Sequence, residues 1–126
     1  MTEKISVPGL LALPAFCHAT KAGGLVFVSG TLGTTDEKGT LAAGGIGPQT
    51  QQTLKNIEAI LKASGASLGD VLKFNVFLAD LEDFSEMNKA YIEVLGEGAA
   101  ARITVGGADL ALNAAIEIDC IAHASA

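Results

Sequence analysis

Two stretches of the chain alternate strictly between apolar and polar positions, and two others repeat at helical spacing. Val71 to Leu78 predicts a strand with Leu72, Phe74, Val76 and Leu78 on one face and Val71, Lys73, Asn75 and Phe77 on the other. Ala115 to His123 predicts a last strand. Ile116, Ile118, Cys120 and Ala122 form its apolar face, opposite Glu117, Asp119, Ile121 and His123. Leu54, Ile57, Ile60 and Leu61 make the stripe of a first helix, opened near Pro48 and stopped at Gly65. Phe84, Met87, Tyr91, Val94 and Leu95 line a second helix, capped by Asp83 or Ser85 and broken at Gly96-Glu97-Gly98. Such aromatic and methionine positions read as core rather than as a cofactor box.

The rest falls into place around these elements. Lys4 to about Leu13 reads as extended. Phe16 to Thr20, the turn Lys21-Ala22-Gly23-Gly24 and the run Leu25-Val26-Phe27-Val28 predict a hairpin, ended by Ser29-Gly30-Thr31. A Gly-rich loop spans Thr31 to Gly47, a length that often carries function. A strand through Arg102 follows the second helix. The order is hairpin, helix, strand, helix, strand, strand, in one domain over residues 1–126. Two helices cover only one face of such a sheet. By alternation, the uncovered face is expected to carry Lys73, Asn75, Arg102, Thr104, Glu117 and Asp119, mixed with Phe77 and Ile121. Apolar residues there predict a homo-oligomer with polar groups at its seams.

Composition narrows the function. A net charge of −6 with eight Lys and Arg argues against a nucleic-acid binder, which needs a basic face. Cys17 and Cys120 are far apart, as are His18 and His123, so neither a disulfide framework nor a metal site is expected. Cys120 reads as a buried small hydrophobe and Cys17 as partly exposed at a subunit edge. The apolar run Gly9 to Leu13 is short and bracketed by Pro8 and Pro14. It is read as mature sequence of a cytoplasmic protein, and no run reaches membrane-spanning length.

One stretch does not look like solubilising surface. Arg102 stands in the apolar, Gly-rich run Ala101 to Gly107, and Glu117 in a second apolar run. An arginine fork holds a carboxylate through two charged hydrogen bonds, and a nearby glutamate supplies a base. The competing reading is a structural ion pair between the two.

Gly24-Leu25-Val26-Phe27-Val28-Ser29-Gly30 resembles a signature of the Rid family (reactive intermediate deaminases, also called YjgF-like). So do Thr50 through Leu61, Ala63 through Val71, Phe77 through Phe84, Ala101-Arg102 and Ile116-Glu117-Ile118, in that order over nearly the whole chain. The resemblance implies a chorismate-mutase-like α+β fold, with a mixed, mainly antiparallel sheet and two helices on one face. It also implies a homotrimer with active sites between subunits. Its characterised deaminases hydrolyse 2-aminoacrylate, 2-iminopropanoate and similar enamines and imines to 2-keto acids and ammonia, with no cofactor or metal. Carried over, Arg102 clamps the substrate carboxylate and Glu117 positions or activates water. Phe16, Ser29, Gly30, Thr31 and Thr104 join Arg102 as candidate substrate contacts.

Departures accompany the matches. Phe16-Cys17 stands where the family often has Tyr-Ser, so Phe16 offers packing but no hydroxyl. Ala108 to Leu112 replaces a familiar Arg-Leu-Pro stretch, and Gly106-Gly107 is expected to loosen the same wall. Ser29 has a plain alternative as a strand end, and Thr31 as a turn cap. A family branch acting on another small substrate in a catabolic pathway, or a non-catalytic trimer that binds a small carboxylate or regulates a partner, are the competing functions.

Overall fold

The computed structural model describes residues 2–124. It holds a single six-stranded sheet with two α-helices on one face. In chain order the elements are β1 (Glu3–Ile5), β2 (Ala19–Ala22), β3 (Leu25–Leu32), α1 (Ile46–Ala63), β4 (Val71–Leu78), α2 (Phe84–Leu95), β5 (Ala101–Val105) and β6 (Ile116–His123). The strand order is β1-β2-β3-β6-β4-β5. Only β4 and β5 pair in parallel; the other neighbours are antiparallel. β6 slots between β3 and β4, so β3-α1-β4 is a split crossover and β4-α2-β5 a direct one. Both place their helix on the same face.

The core lies between helices and sheet. Leu54, Ile57 and Leu61 of α1 and Met87 of α2 are fully buried against Phe74, Val76, Ile116 and Ile118. Cys120 is part of this layer, as expected, and burial pushes its thiol up to about 12. Pro48 falls in the first turn of α1, where its missing N–H has no partner to lose. Gly65, at φ 81°, ends the helix just beyond Ser64. Neither Asp83 nor Ser85 caps α2 by side chain; Asp80 instead accepts from the Glu82 N–H in the short turn before it. Phe84 and Val94 are each 39% exposed rather than buried.

Two bulges break the alternation read from the sequence. Val71 pairs with Ala122 and Lys73 with Ile121, so Leu72 is the extra residue. It is 49% exposed while Val71 is buried, the reverse of the expected faces. In β3, Val28 pairs with Cys120 and Thr31 with Ile118, which leaves one residue over within Ser29-Gly30. The strand continues through this bulge to Leu32 instead of ending at Ser29.

The uncovered face is more apolar than polar. Leu25, Phe27, Leu72, Ile103 and Val105 are exposed there. Among them Asn75 donates to the Asp119 carboxylate at 2.6 Å, and His123 lies 3.5 Å from Asp70.

Candidate active site

Register separates the two residues that the sequence placed together. In the parallel pair Phe74 faces Arg102 and Val76 faces Thr104. Both therefore point to the helix-covered side. Glu117 lies opposite Phe77 and Leu32, on the uncovered side. The expectation of one shared face for Arg102, Thr104 and Glu117 is thus corrected, and an Arg102–Glu117 ion pair within one chain is ruled out. A parallel strand reached through a helix can dock in either parity, and only its packing against α2 selects one.

Glu117 stands at a cavity of about 190 Å³ beside the bulge of β3, past the point where the first residue of β2, Ala19, pairs with Val28. Phe16, His18, Ser29, Gly30, Thr31 and Ala111 line it, and leucines of the N-terminal segment form its roof. A Cβ at Gly30 would run into the Glu117 carboxylate, so any side chain there forces that carboxylate to shift. Ser29 donates to the Cys17 carbonyl at 2.7 Å and Thr31 to the Ser29 carbonyl at 2.8 Å. Both hydroxyl protons are spent on building the bulge, although the oxygens can still accept. Cys17 is half-buried and its thiol lies 3.3 Å from the Ala19 carbonyl.

His18 holds the roof in place. Its Nδ1 accepts from the Val7 N–H at 2.9 Å, which leaves the proton on Nε2 to donate to the Leu11 carbonyl at 2.8 Å. One buried imidazole thereby satisfies both ends of a segment with no strand partner. Sequence reading missed this role; a lone histidine next to a predicted strand carries no spacing signal. Beyond the cavity, Leu112 and Asn113 both adopt φ 59°, a strained pair in the stretch that departs from the family pattern. Gly106 does not loosen that wall: a Cβ there would clash with Leu81, so the glycine permits tight packing.

Burial raises the proton affinity of Glu117, and the neighbouring Asp119 charge raises it further. A carboxylate that holds its proton more tightly than usual is suited to passing one on. On the other side, Arg102 is half-buried with its guanidinium carbon 4.8 Å from the centre of the Tyr91 ring and 5.7 Å from that of Phe84. Among the described residues no carboxylate lies within ion-pair distance of it, nor does any cluster of three or more His, Cys, Asp or Glu side chains suited to a metal occur.

The family model described as endoribonuclease L-PSP matches residues 9–124. The chain belongs to the Rid (YjgF-like) family. It is 46% identical over 111 residues to Reactive Intermediate Deaminase A, chloroplastic, of Arabidopsis thaliana, covering 88% of this chain and 59% of that longer protein. It is 35% identical over 106 residues to the 2-iminobutanoate/2-iminopropanoate deaminase of Dermatophagoides farinae, covering 84% and 83% of the two. The crystal structure of RidA from the Antarctic bacterium Psychrobacter sp. PAMC 21119 superposes with a TM-score of 0.89 at 37% identity, over 96% of this chain and 98% of that one. The mixed sheet with two helices on one face is the fold of this Rid chain's solved relatives. No described helix is long and apolar enough to cross a membrane.

Two predictions follow from the Glu117 half of the site. Gly30→Ala should displace the carboxylate and, with Glu117 in its candidate role as base, reduce kcat/KM at least about 10-fold, because misplacing such a group by an ångström costs on that order or more. Steady-state kinetics on the folded variant checks this; wild-type kinetics would show that the close approach is dispensable. The second concerns pH. The folded state binds the Glu117 proton more tightly than the unfolded chain. Its stabilising contribution is therefore full below the ordinary value of 4.5 and lost as pH rises through the raised folded value. Glu117→Gln should then melt above wild type at pH 7, with the gap closing below pH 4.5. Calorimetric scans at both pH values decide it, and a gap that widens toward acid has the wrong sign.

Proposed function

We propose that this Rid protein hydrolyses small 2-imino and 2-enamino acids, of the 2-iminopropanoate and 2-aminoacrylate class, to 2-keto acids and ammonia. The observation that carries the reading is the division of the site. Glu117, with raised proton affinity, stands at a cavity on one side of the sheet, while Arg102, on the other, has no carboxylate within ion-pair distance among the described residues. Each needs what the other offers, so a second copy completes the site. A homotrimer closed by covering the apolar sheet face brings them together. The deaminase names of the Arabidopsis and Dermatophagoides relatives support the same chemistry.

Arg102 of one copy binds the substrate carboxylate by two hydrogen bonds and fixes the imine carbon over Glu117 of the next. Ionised Glu117 takes a proton from water as its oxygen bonds to that carbon. The C=N π electrons move to nitrogen, which takes that proton from Glu117 and leaves the carboxylate ionised again. The resulting carbinolamine passes its hydroxyl proton through Glu117 to nitrogen. The C–N bond then breaks, ammonia leaves and the keto group forms. An enamine enters by taking a proton at its terminal carbon to give the imine. No electrons are exchanged with an outside group, so the reaction needs no cofactor.

A net charge of −6 speaks against RNA as the substrate despite the family model's description. The cytoplasm expected above belongs to this reading, but the Arabidopsis relative is chloroplastic by name. A second reading, a different small substrate, is favoured by the apolar Phe16 ring in the cavity wall and the strained Leu112–Asn113 pair. The test generates 2-aminoacrylate and 2-iminopropanoate enzymatically and follows keto-acid release. Acceleration by the protein is expected. A folded protein that accelerates neither, but hydrolyses a bulkier imine, moves the assignment to the second reading; activity on none ends both.

A further inference from the structure

The geometry points to Phe84 and Tyr91 as positioning residues that hold Arg102 ready for the carboxylate, an inference that rests on the carboxylate-binding role proposed for Arg102. Phe84, Met87 and Tyr91 follow at i, i+3 and i+7 and so share one stripe of α2, which the β4-α2-β5 crossover lays over the helix-facing side of β5. Arg102 rises from β5 into that stripe. Its guanidinium carbon stands 4.8 Å from the Tyr91 centroid and 5.7 Å from that of Phe84, and Nη1 is 4.0 Å from the Met87 sulfur. These distances suit cation–π attraction.

The two ring contacts are built differently. Tyr91 is buried, and its ring meets that of Phe74 edge-on at 5.6 Å and 76°; Phe74 is in turn the register partner of Arg102. The platform is therefore locked by the core beneath it. Its hydroxyl makes no geometrically sound hydrogen bond among the described residues; burial raises the phenol's proton affinity, and the nearby Arg102 charge partly offsets this, so the guanidinium feels both the ring and the phenol end. Phe84 is 39% exposed, which core packing does not explain for a large aromatic. Part of its ring lies against the Arg102 guanidinium instead.

The chemistry fits the task. A carboxylate partner would orient the arginine but would compete with the substrate for the same N–H donors. An aromatic ring engages the π face of a guanidinium, whose donors lie on its rim. Two rings thus restrict the long side chain while leaving donors for a bidentate carboxylate. Restricting it before binding lowers the ordering cost that binding otherwise carries. The effect belongs to substrate affinity, with little reserved for the transition state.

The experiment uses Phe84→Leu, because Phe84 is half outside the core, with Phe84→Tyr as the ring-retaining rescue. KM and kcat are measured for 2-iminopropanoate, Kd for the product pyruvate by calorimetry, and Tm for each variant. Phe84→Leu is expected to raise KM and pyruvate Kd together by roughly 3- to 10-fold, with kcat within about 2-fold. Phe84→Tyr should restore both. In an Arg102→Ala background, Phe84→Leu should change pyruvate Kd no further, which a general packing defect would not reproduce. Unchanged pyruvate affinity in Phe84→Leu, a loss confined to kcat, or an equal effect with and without Arg102 overturns the clamp while leaving the deaminase reading intact. Wild type that neither binds pyruvate nor turns over the imine removes the role of Arg102, and this inference with it.

Discussion

Arg102→Ala should lower kcat/KM for 2-imino acids by about 10² to 10⁴, since it removes two charged hydrogen bonds worth roughly 1.5–3 kcal/mol each. The fold should survive the change. Arg102 is half-buried at the sheet edge, has no ion-pair partner among the described residues, and leaves behind only the faces of Tyr91 and Phe84. A structural arginine would behave otherwise: deleting one half of a buried ion pair strands the other charge and destabilises strongly. Here the loss should fall on catalysis and binding while Tm moves by only a few degrees. Arg102→Lys should recover little, because an ammonium neither matches a carboxylate bidentately nor sits on two rings as a guanidinium does. The check is single-turnover keto-acid release beside a thermal melt. Near-normal catalysis by a folded Arg102→Ala protein would end the clamp role.

Much of the fold could be read from periodicity alone, and the failures share a cause. The faces of β6 and the stripe of α1 came through intact, since each is a regular element whose apolar side meets one core. β4 misled because a single extra residue at Leu72 exchanges the faces of Val71 and Leu72, and a bulge leaves no mark in an alternating string. β5 misled more seriously. Arg102 and Thr104 alternate with Ile103 and Val105, and nothing local says which pair meets the helices. Polarity suggested that the arginine would avoid the helix side. Instead α2 offers it aromatic faces, and the exposed Ile103 and Val105 are left on the open side. A locally unfavourable choice of this kind is a mark of function rather than of folding. Glu117, Gly30 and Phe16 were placed together by resemblance, and the cavity does unite them. The His18 staple and the Phe84 contact stayed hidden because each depends on a long-range meeting of one residue with a neighbour that no pattern announces.

The separation of Arg102 and Glu117 onto opposite faces leads to a second large effect, with the opposite sign. Arg102→Ala and Glu117→Gln should each be nearly inactive alone, yet a mixture of the two, unfolded and refolded together, should regain activity. In the proposed ring of three copies every seam would join Glu117 of one chain to Arg102 of the next. A seam works when its glutamate comes from the Arg102→Ala chain and its arginine from the Glu117→Gln chain. Random assembly from equal amounts makes about one quarter of seams competent. Keto-acid release should therefore rise from background to about a quarter of the wild-type rate per chain, and unmixed controls treated identically should stay inactive. If both residues instead served one chain, every seam would lack one of them and mixing would restore nothing. Mixed oligomers confirmed by mass spectrometry that remain inactive would place the working site elsewhere, whereas recovery near a quarter ties the chemistry to the seam between copies.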